Sequence, residues 1–441
     1  MARGLLTASV IGVLLFFSGI VLAQDVCSGA DRALVLSGGG TKGAYEAAAA
    51  YHLIVHRGCD FKDLSGVSAG ALNVSYLAQA SMESDSLKHL QQQASALVEI
   101  WRDVTDPSAF MAPRFLGRLR MFLFGLEGLN DFSALKELIR KNISVEKLRK
   151  SGRHVRVGYI SFFDGGYREI SPCSPSPHPE ENDQYLDYVF ASALIPVFGD
   201  MPLIRQRGDN ADPATWTQFA DGGVRHSTPV PGYFPNSEIV PLLASSGGVP
   251  VPSNQCGADE PPPHPRPIQG LFIVVAGPYK KLDDRIEQPM CDNQPCRQMH
   301  DGRDIAMRSV WAALESPYRW DINYAITANN MLKWRHELIC TMPTALNKIE
   351  EIPTRFPVSS FNQGPKYDLP YQPMLIITPN ASLTDGIYDV TKQVILKQLW
   401  AGCRDANDAM VDLSRPNMSV PDMRAVCEHD FPYPTAKNGS Q

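Results

Sequence analysis

One serine in the chain stands in a pattern typical of a catalytic nucleophile. Residues 66–70 read GVSAG, with Gly66 two positions before Ser68 and Gly70 two positions after it. In a G-x-S-x-G nucleophile elbow, these glycines let a strand turn sharply into a helix without a steric clash. The pattern predicts that the Ser68 hydroxyl is exposed at the start of a helix, where it can attack an acyl carbonyl.

A glycine-rich turn precedes this serine and allows two interpretations. Gly38, Gly40 and Gly43 fit the G-x-G-x-x-G pattern of dinucleotide-binding turns. Such a site also needs an acidic residue at the end of the second strand, about 20 residues further on, to bind the ribose. Asp60 and Asp63 are near that distance, but they come before the LSGVSAG stretch rather than at a strand end. We therefore expect no nucleotide cofactor here.

The second interpretation of the glycine turn is an oxyanion hole. Consecutive glycine N–H groups can approach a tetrahedral oxyanion because no side chain blocks them. Gly38, Gly39 and Gly40 stand together after an apolar run, and the helix predicted to begin near Lys42 adds a favourable dipole. The sequence predicts that these three amides stabilise the oxyanion formed when the serine attacks an ester.

An aspartate is the best candidate for the base that activates this serine. Asp164, Asp221 and Asp385 each precede a glycine. Asp164 lies at a predicted hairpin tip, where Asp-Gly is ordinary turn chemistry. Asp221 ends a predicted strand, where ligand-facing residues collect in parallel sheets. A serine–histidine arrangement with His226 stays open. With an ordinary pKa of about 4, Asp221 would be a weak base at neutral pH, so positioning would supply most of its effect.

These stretches together resemble the motifs of the patatin-like phospholipase family. The blocks occur in the family's order as GGGTKG at 38–43, GVSAG at 66–70, ASALIP at 191–196 and DGG at 221–223. The resemblance implies a three-layer α/β/α fold and a Ser–Asp dyad, with neither a catalytic histidine nor calcium. It makes Ser68 the nucleophile, Asp221 the general base, and the amides of Gly38, Gly39 and Gly40 the oxyanion hole.

The resemblance also covers residues that support these motifs. Lys42 stands where the family has Arg or Lys, which keeps the positive charge without a guanidinium fork. The VRHSTPV stretch after the DGG block departs from the family's Asn-rich turn, and this leaves the shape of the acyl pocket open. The supporting glycines are Gly43, Gly66, Gly70, Gly222 and Gly223.

The elements that must position these residues alternate between strand and helix. An apolar strand at 33–36 precedes the glycine turn, a helix is predicted at 44–56, and a second strand and helix surround the serine. This alternation predicts an α/β fold with a mostly parallel sheet covered by helices and an elaborated C-terminal region. Further predictions are a helix at 87–101, a helix N-capped by Ser133, a hairpin turning at 164–166, a helix broken by Pro196, strands in LFIVVAGP and PMLIITP, helices between 304 and 338, and a helix at 394–400.

The chain is predicted to contain a leader and one large domain. Residues 1–23 have the pattern of a signal peptide, which predicts a secreted or periplasmic protein. Residues 24–246 are the predicted catalytic core, residues 247–269 a Pro-rich insertion, and residues 270–441 a C-terminal continuation with added helices. The formal net charge of −6 gives no electrostatic footprint for nucleic acid.

The nine cysteines all follow the predicted leader, and export would permit disulfides. Because nine is an odd number, at least one thiol is left without a partner in the same chain. The Pro-rich insertion is flanked by Cys256, Cys291 and Cys296, which are candidates for disulfides that hold it in place. The disulfide connectivity stays open. The spacing of cysteines and histidines predicts no structural metal.

A basic and aromatic segment at 112–126 also allows two interpretations. It contains Arg118, Arg120, Phe122 and Phe124 among its residues. It could lie on an anionic lipid surface, or it could cap the core as an ordinary lid helix.

We expect a secreted lipid acyl hydrolase of the phospholipase A or lysophospholipase type. It would cleave fatty-acyl esters through an acyl-enzyme intermediate, without a cofactor, on a lipid or membrane-surface substrate. The alternative is a non-catalytic lipid-binding or interaction protein on the same fold. The lipid class, the position cleaved and the oligomeric state stay open.

Overall fold

The fold is seen in a computed structural model of the chain. It describes residues 27, 32–114, 128–174, 184–196, 198–206, 209, 212–230, 233, 270–277, 290–291, 294–295, 317, 319–330, 374–380, 383, 390–412 and 421–434. The predicted signal peptide, the Pro-rich insertion, Asp385 and most of the segment at 112–126 lie outside these ranges.

Strands and helices alternate through the first part of the chain, as the sequence predicts. The strands are β1 (Arg32–Leu36), β2 (Asp63–Val67), β3 (Ala112–Pro113), β4 (Asn130–Asp131), β5 (His154–Ser161), β6 (Tyr167–Ile170), β7 (Leu203–Ile204), β8 (Thr217–Asp221), β9 (Gly270–Val274), β10 (Met290–Cys291), β11 (Gln294–Pro295) and β12 (Met374–Ile377). The helices are α1 (Gly43–Tyr51), α2 (Ala69–Leu77), α3 (Ser86–Asp103), α4 (Ser133–Asn142), α5 (Val145–Lys150), α6 (Tyr185–Ser192), α7 (described over 319–330), α8 (Lys392–Asp412) and α9 (Arg424–Asp430).

The central sheet has the order β12-β9-β1-β2-β5-β8-β7, and β6 pairs with β5. The strands from β12 to β5 run parallel, whereas β8 pairs with β5 in the antiparallel direction. In this register Val67 lies opposite Gly158, and Asp221 lies opposite Tyr159. The end of β2 and the end of β8 therefore meet the same part of β5, although they are far apart in sequence.

Helices cover both faces of the sheet, because alternate residues of a strand point to opposite sides. Leu34 and Leu36 of β1 belong to the core formed with α1 to α4, whereas Ala33 and Val35 belong to a second core. On that second face, Ile322 of α7 packs with β1 and β9. The structure therefore has the three layers expected for the predicted α/β fold.

Several element boundaries differ from those expected. The first helix is shorter than predicted and continues as a π-helical turn at His52–His56. The helix expected to break at Pro196 ends already at Ser192. Ser133 is the first helical residue rather than the N-cap, and its N–H donates to the Asp131 carboxylate at 2.8 Å. The last predicted helix extends over Lys392–Asp412. These differences fall at element ends, where tertiary contacts override local preference.

Disulfides connect parts of the described structure. Cys27 is bonded to Cys59, and Cys403 to Cys427. The first bond ties the chain before β1 to the loop before β2, and the second ties α8 to α9. Among the described helices, none is both long enough and apolar enough to cross a membrane.

Candidate active site

The turn between β2 and α2 holds Ser68 in a strained conformation. Its backbone angles are φ 55° and ψ −127°, a region that non-glycine residues rarely occupy and that is found at functional sites. A Cβ on Gly66 would lie 2.3 Å from the carbonyl oxygen of Gly70, and one on Gly70 would lie 2.3 Å from that of Ser37. Only glycine fits at both positions, so the GVSAG stretch has the geometry of a nucleophile elbow.

The base candidate Asp221 reaches this serine from the end of β8. Its side chain is buried, with 3% of the residue exposed. Its carboxylate accepts a 2.7 Å hydrogen bond from the Gly223 N–H, and it lies close enough to the Ser68 hydroxyl for that hydroxyl to influence the pKa of the carboxyl group. The structure thus brings together the two residues that the sequence analysis pairs.

Burial changes the chemistry of this carboxyl group. Loss of solvation raises the pKa of Asp221 to about 7, although the Ser68 hydroxyl and the hydrogen bond from Gly223 oppose that rise. A base is most effective when its pKa lies near the working pH. The ordinary pKa of about 4 considered for Asp221 from the sequence alone therefore does not hold, because it leaves out the desolvation that only the folded site imposes.

The ASALIP stretch holds both members of this pair. The Ser68 N–H donates to the Ser192 hydroxyl at 2.9 Å, and that hydroxyl donates to the Gly158 carbonyl at 2.6 Å. Two residues further on, the Leu194 carbonyl accepts the Asp221 N–H at 3.0 Å. In the sequence this block is visible only as a mark of family resemblance, because no local pattern reveals its hydrogen bonds to the Ser68 and Asp221 backbones.

The glycine turn after β1 packs directly against the serine. A Cβ on Gly38 would lie 2.9 Å from the Ser68 Cβ. However, the Gly38 N–H donates to the Ser227 carbonyl at 2.9 Å. This bond already engages the Gly38 amide, so Gly39 and Gly40 remain the candidates among the three predicted oxyanion donors. Gly40 has a φ of 60° and lines a cavity next to Ser68.

The supporting motif residues have mainly packing functions. Lys42 is buried in the turn Gly40–Lys42. A Cβ on Gly43 would lie 2.5 Å from the Trp101 ring, and one on Gly222 would lie 2.7 Å from the backbone of Gly158. These glycines allow the loops that carry the site to approach the neighbouring elements closely.

The competing candidates have other partners. The Asp164 carboxylate accepts the Gly166 N–H at 2.9 Å and is paired with Arg168, as expected for a hairpin turn. His226 lies with its Nδ1 2.7 Å from Asp321 Oδ1 and packs its ring edge against Tyr167. His226 thus has a well-defined carboxylate partner, which no pattern in the sequence predicts.

A mainly apolar cavity opens beside the serine. The space that it encloses, including solvent at its opening, is about 880 Å³. Its walls come from α2, α3 and α4, with Leu72, Trp101 and Ile139 among the lining residues. On α2 the lining runs from Ser68 to Tyr76, which is a length of about 12 Å along the helix axis. The cavity can hold an apolar chain whose end lies at the hydroxyl.

Within the described ranges, one group of side chains has ligand atoms close enough for a metal. It consists of His52, Cys403 and Cys427, with these atoms within 4.8 Å of one another. The two cysteines form a disulfide, and the Arg57 guanidinium donates to His52 Nε2 at 3.0 Å. The imidazole proton is therefore on Nδ1, which faces the sulfurs. This arrangement suits a disulfide packed on a neutral histidine, and it does not fit a metal site.

Comparison with known proteins shows which family this part of the chain resembles. Residues 34–232 match the family model described as patatin-like phospholipase, a family of lipid acyl hydrolases. The fold class and the family resemblance predicted from the sequence are confirmed. The crystal structure of VipD from Legionella pneumophila is 14% identical and covers 86% of this chain and 67% of that chain, with a TM-score of 0.30. The search of curated proteins found no match.

Proposed function

We propose that the protein is a secreted serine-dependent lipid acyl hydrolase that uses Ser68 and Asp221 as its dyad. The observation that carries this proposal is that the ends of β2 and β8 bring Ser68 and the buried Asp221 side by side next to an apolar cavity. The match to the family model supports hydrolysis of acyl esters, and the cavity supports a fatty-acyl chain as the group bound. The class is that of phospholipase A or lysophospholipase.

The order of the proposed reaction steps follows from the groups that lie at the site. The ionised Asp221 accepts the hydroxyl proton while Ser68 Oγ forms a bond to the ester carbonyl carbon. The carbonyl oxygen becomes an oxyanion next to the amides of Gly39 and Gly40. When the oxyanion collapses, the ester C–O bond breaks, and the leaving alcohol takes the proton from Asp221.

The same groups remove the acyl chain from the enzyme. Water loses a proton to Asp221 as its oxygen attacks the acyl carbonyl, and collapse of the second oxyanion breaks the bond to Ser68 Oγ. The fatty acid leaves and the serine recovers its proton. The backbone bond from Ser68 to Ser192 keeps the nucleophile in place through both half-reactions.

Export is part of this proposal. The predicted leader and the bonds Cys27–Cys59 and Cys403–Cys427 support a secreted or periplasmic protein, because disulfides persist in oxidising compartments. Amino-terminal sequencing of the exported protein should begin at Gln24. A mature chain that still carries the leader would contradict this part of the proposal.

A serine-reactive fluorophosphonate probe tests the proposed dyad. We expect the probe to label the wild type and to leave Ser68→Ala unlabelled. Ser75→Ala is a matched control, because Ser75 lies on the same helix and pairs with Tyr185 instead. Mass spectrometry of a mixed lipid extract should show free fatty acids released by the wild type and by the control only. Lipid binding without labelling or turnover would favour the non-catalytic alternative.

A further inference from the structure

The loop after β8 connects the two halves of the proposed site. At its start, the Gly223 N–H donates to the Asp221 carboxylate at 2.7 Å. Further along, the Ser227 carbonyl accepts the Gly38 N–H at 2.9 Å. The Ser227 hydroxyl also donates to the Gly223 carbonyl at 2.8 Å, which braces the loop internally. One loop therefore positions both the base and the first residue of the oxyanion turn.

A buried carboxylate from another part of the chain holds this loop. Asp321 lies on α7, beyond the region that matches the family, and only 3% of it is exposed. Its Oδ2 accepts the Thr228 N–H at 2.9 Å, and its Oδ1 lies 2.7 Å from His226 Nδ1. An ionised carboxylate, which only accepts hydrogen bonds, suits such a set of donors.

The contact between Asp321 and Gly38 runs through a single peptide unit. The Ser227–Thr228 peptide is trans, because the described chain has no cis peptide bond. Its N–H is donated to Asp321 while its C=O accepts the Gly38 N–H. In a trans peptide these two groups point in opposite directions. Hydrogen bonds in such a chain polarise one another, so the carboxylate charge strengthens the bond to Gly38.

We propose that Asp321 is a positioning residue that holds the oxyanion turn in its active conformation through the Ser227–Thr228 peptide. The region after the family-matched part thereby completes the active site. His226 is partly exposed, covers the Asp321 carboxylate and donates a hydrogen bond to it. This function explains why His226 lies so close to the dyad although it takes no part in catalysis. This inference rests on the proposed function for its kinetic readout, but its structural readout is independent of turnover.

Asp321→Asn tests the proposal because it keeps the shape and removes the charge. Loss of one charge-assisted contact at a positioning residue should lower kcat about tenfold, with KM within about twofold because the cavity is untouched. The matched control is Asp405→Asn. Asp405 is equally buried and accepts the Asn380 N–H at 3.1 Å, but it lies on α8 outside the loop network. Rates are counted per fluorophosphonate-labelled molecule, so that unfolded protein does not contribute.

Hydrogen exchange separates this inference from the proposed function. In Asp321→Asn the amides of residues 37–40 should exchange faster than in the wild type and in Asp405→Asn. This comparison holds even if the wild type proves to have no esterase activity, a result that would refute the proposed function alone. Unchanged kcat together with unchanged exchange at residues 37–40 would overturn the inference.

His226→Phe provides a second variant if Asp321→Asn does not fold. The phenyl ring preserves the packing on Tyr167 but cannot donate to Asp321. We expect a smaller loss of kcat, about threefold, and full recovery in His226→Gln, whose amide can restore the donor. A merely structural function for this pair predicts instead that both variants shift the melting temperature and leave kcat per labelled molecule unchanged, and that outcome would also overturn the inference.

Discussion

Replacing Asp221 by asparagine should stabilise the protein while it abolishes turnover. The carboxyl group is buried beside Ser68, and burial raises its pKa from 3.8 to about 7. Asparagine has nearly the same shape, and its side-chain oxygen can still accept the Gly223 N–H. The variant therefore removes the cost of a buried charge without leaving a cavity. Loss of the general base should lower kcat by about 100- to 10,000-fold.

The size of the stability effect depends on pH, and its sign follows from proton binding. In the unfolded chain Asp221 ionises near its ordinary value, so between about pH 4 and pH 7 the folded wild type holds one proton more than the unfolded chain. The wild type therefore loses stability as pH rises through this interval, by about 1.4 kcal/mol per pH unit and about 4 kcal/mol in total. Asparagine does not ionise, so the variant escapes this loss.

Urea unfolding at several pH values measures this difference. The free energy of unfolding of Asp221→Asn, relative to the wild type, should increase by about 3 kcal/mol from pH 5 to pH 8. Asp103→Asn, at an exposed position at the end of α3, controls for the removal of one surface charge and should show no such increase. The single-turnover rate of the wild type should rise with pH around a midpoint of about 7. A difference between variant and wild type that stays constant across this pH range would refute the reasoning.

Three further predictions concern the surroundings of the dyad. Ser192→Ala removes the acceptor of the Ser68 N–H, and stopped-flow acylation should slow about tenfold with KM unchanged; an equal loss in binding and rate would contradict this. Leu72→Trp fills part of the cavity, so kcat/KM should fall for long-chain esters and stay near the wild-type value for butyrate esters; a uniform loss across chain lengths would argue against an acyl pocket. Burial raises the pKa of Glu46 well above its ordinary value, which favours the neutral form of this side chain beside the Ser37 hydroxyl. Glu46→Gln should therefore keep kcat within about threefold of the wild type, and a complete loss of activity would show that the charged form is needed.

Much of the site is visible in the sequence because its parts have local causes. The GVSAG stretch specifies a turn in which only glycine fits beside Ser68, and the alternation of apolar strand and helix specifies a covered, mostly parallel sheet. Asp221 at the end of a strand follows from the same logic. These inferences need only the preferences of neighbouring residues, which a sequence contains directly.

Other features of the site depend on contacts between distant residues. No single segment of the sequence predicts these contacts. They are the hydrogen bond from the Gly38 amide to Ser227, the bond from the Ser68 amide to Ser192, and the pairing of His226 with Asp321. The raised pKa of Asp221 has the same origin, because desolvation depends on everything that packs around the carboxyl group.

The sequence by itself indicated the nucleophile candidate, its elbow, a candidate carboxylate base and the class of fold, since these depend on short-range sterics, on strand ends and on hydrophobic periodicity. Only the tertiary structure decided which glycine amide is already engaged, how basic the aspartate is and which residue of the C-terminal region supports the loop. Those properties arise from burial and from hydrogen bonds across the sheet, and neither exists until the chain has folded.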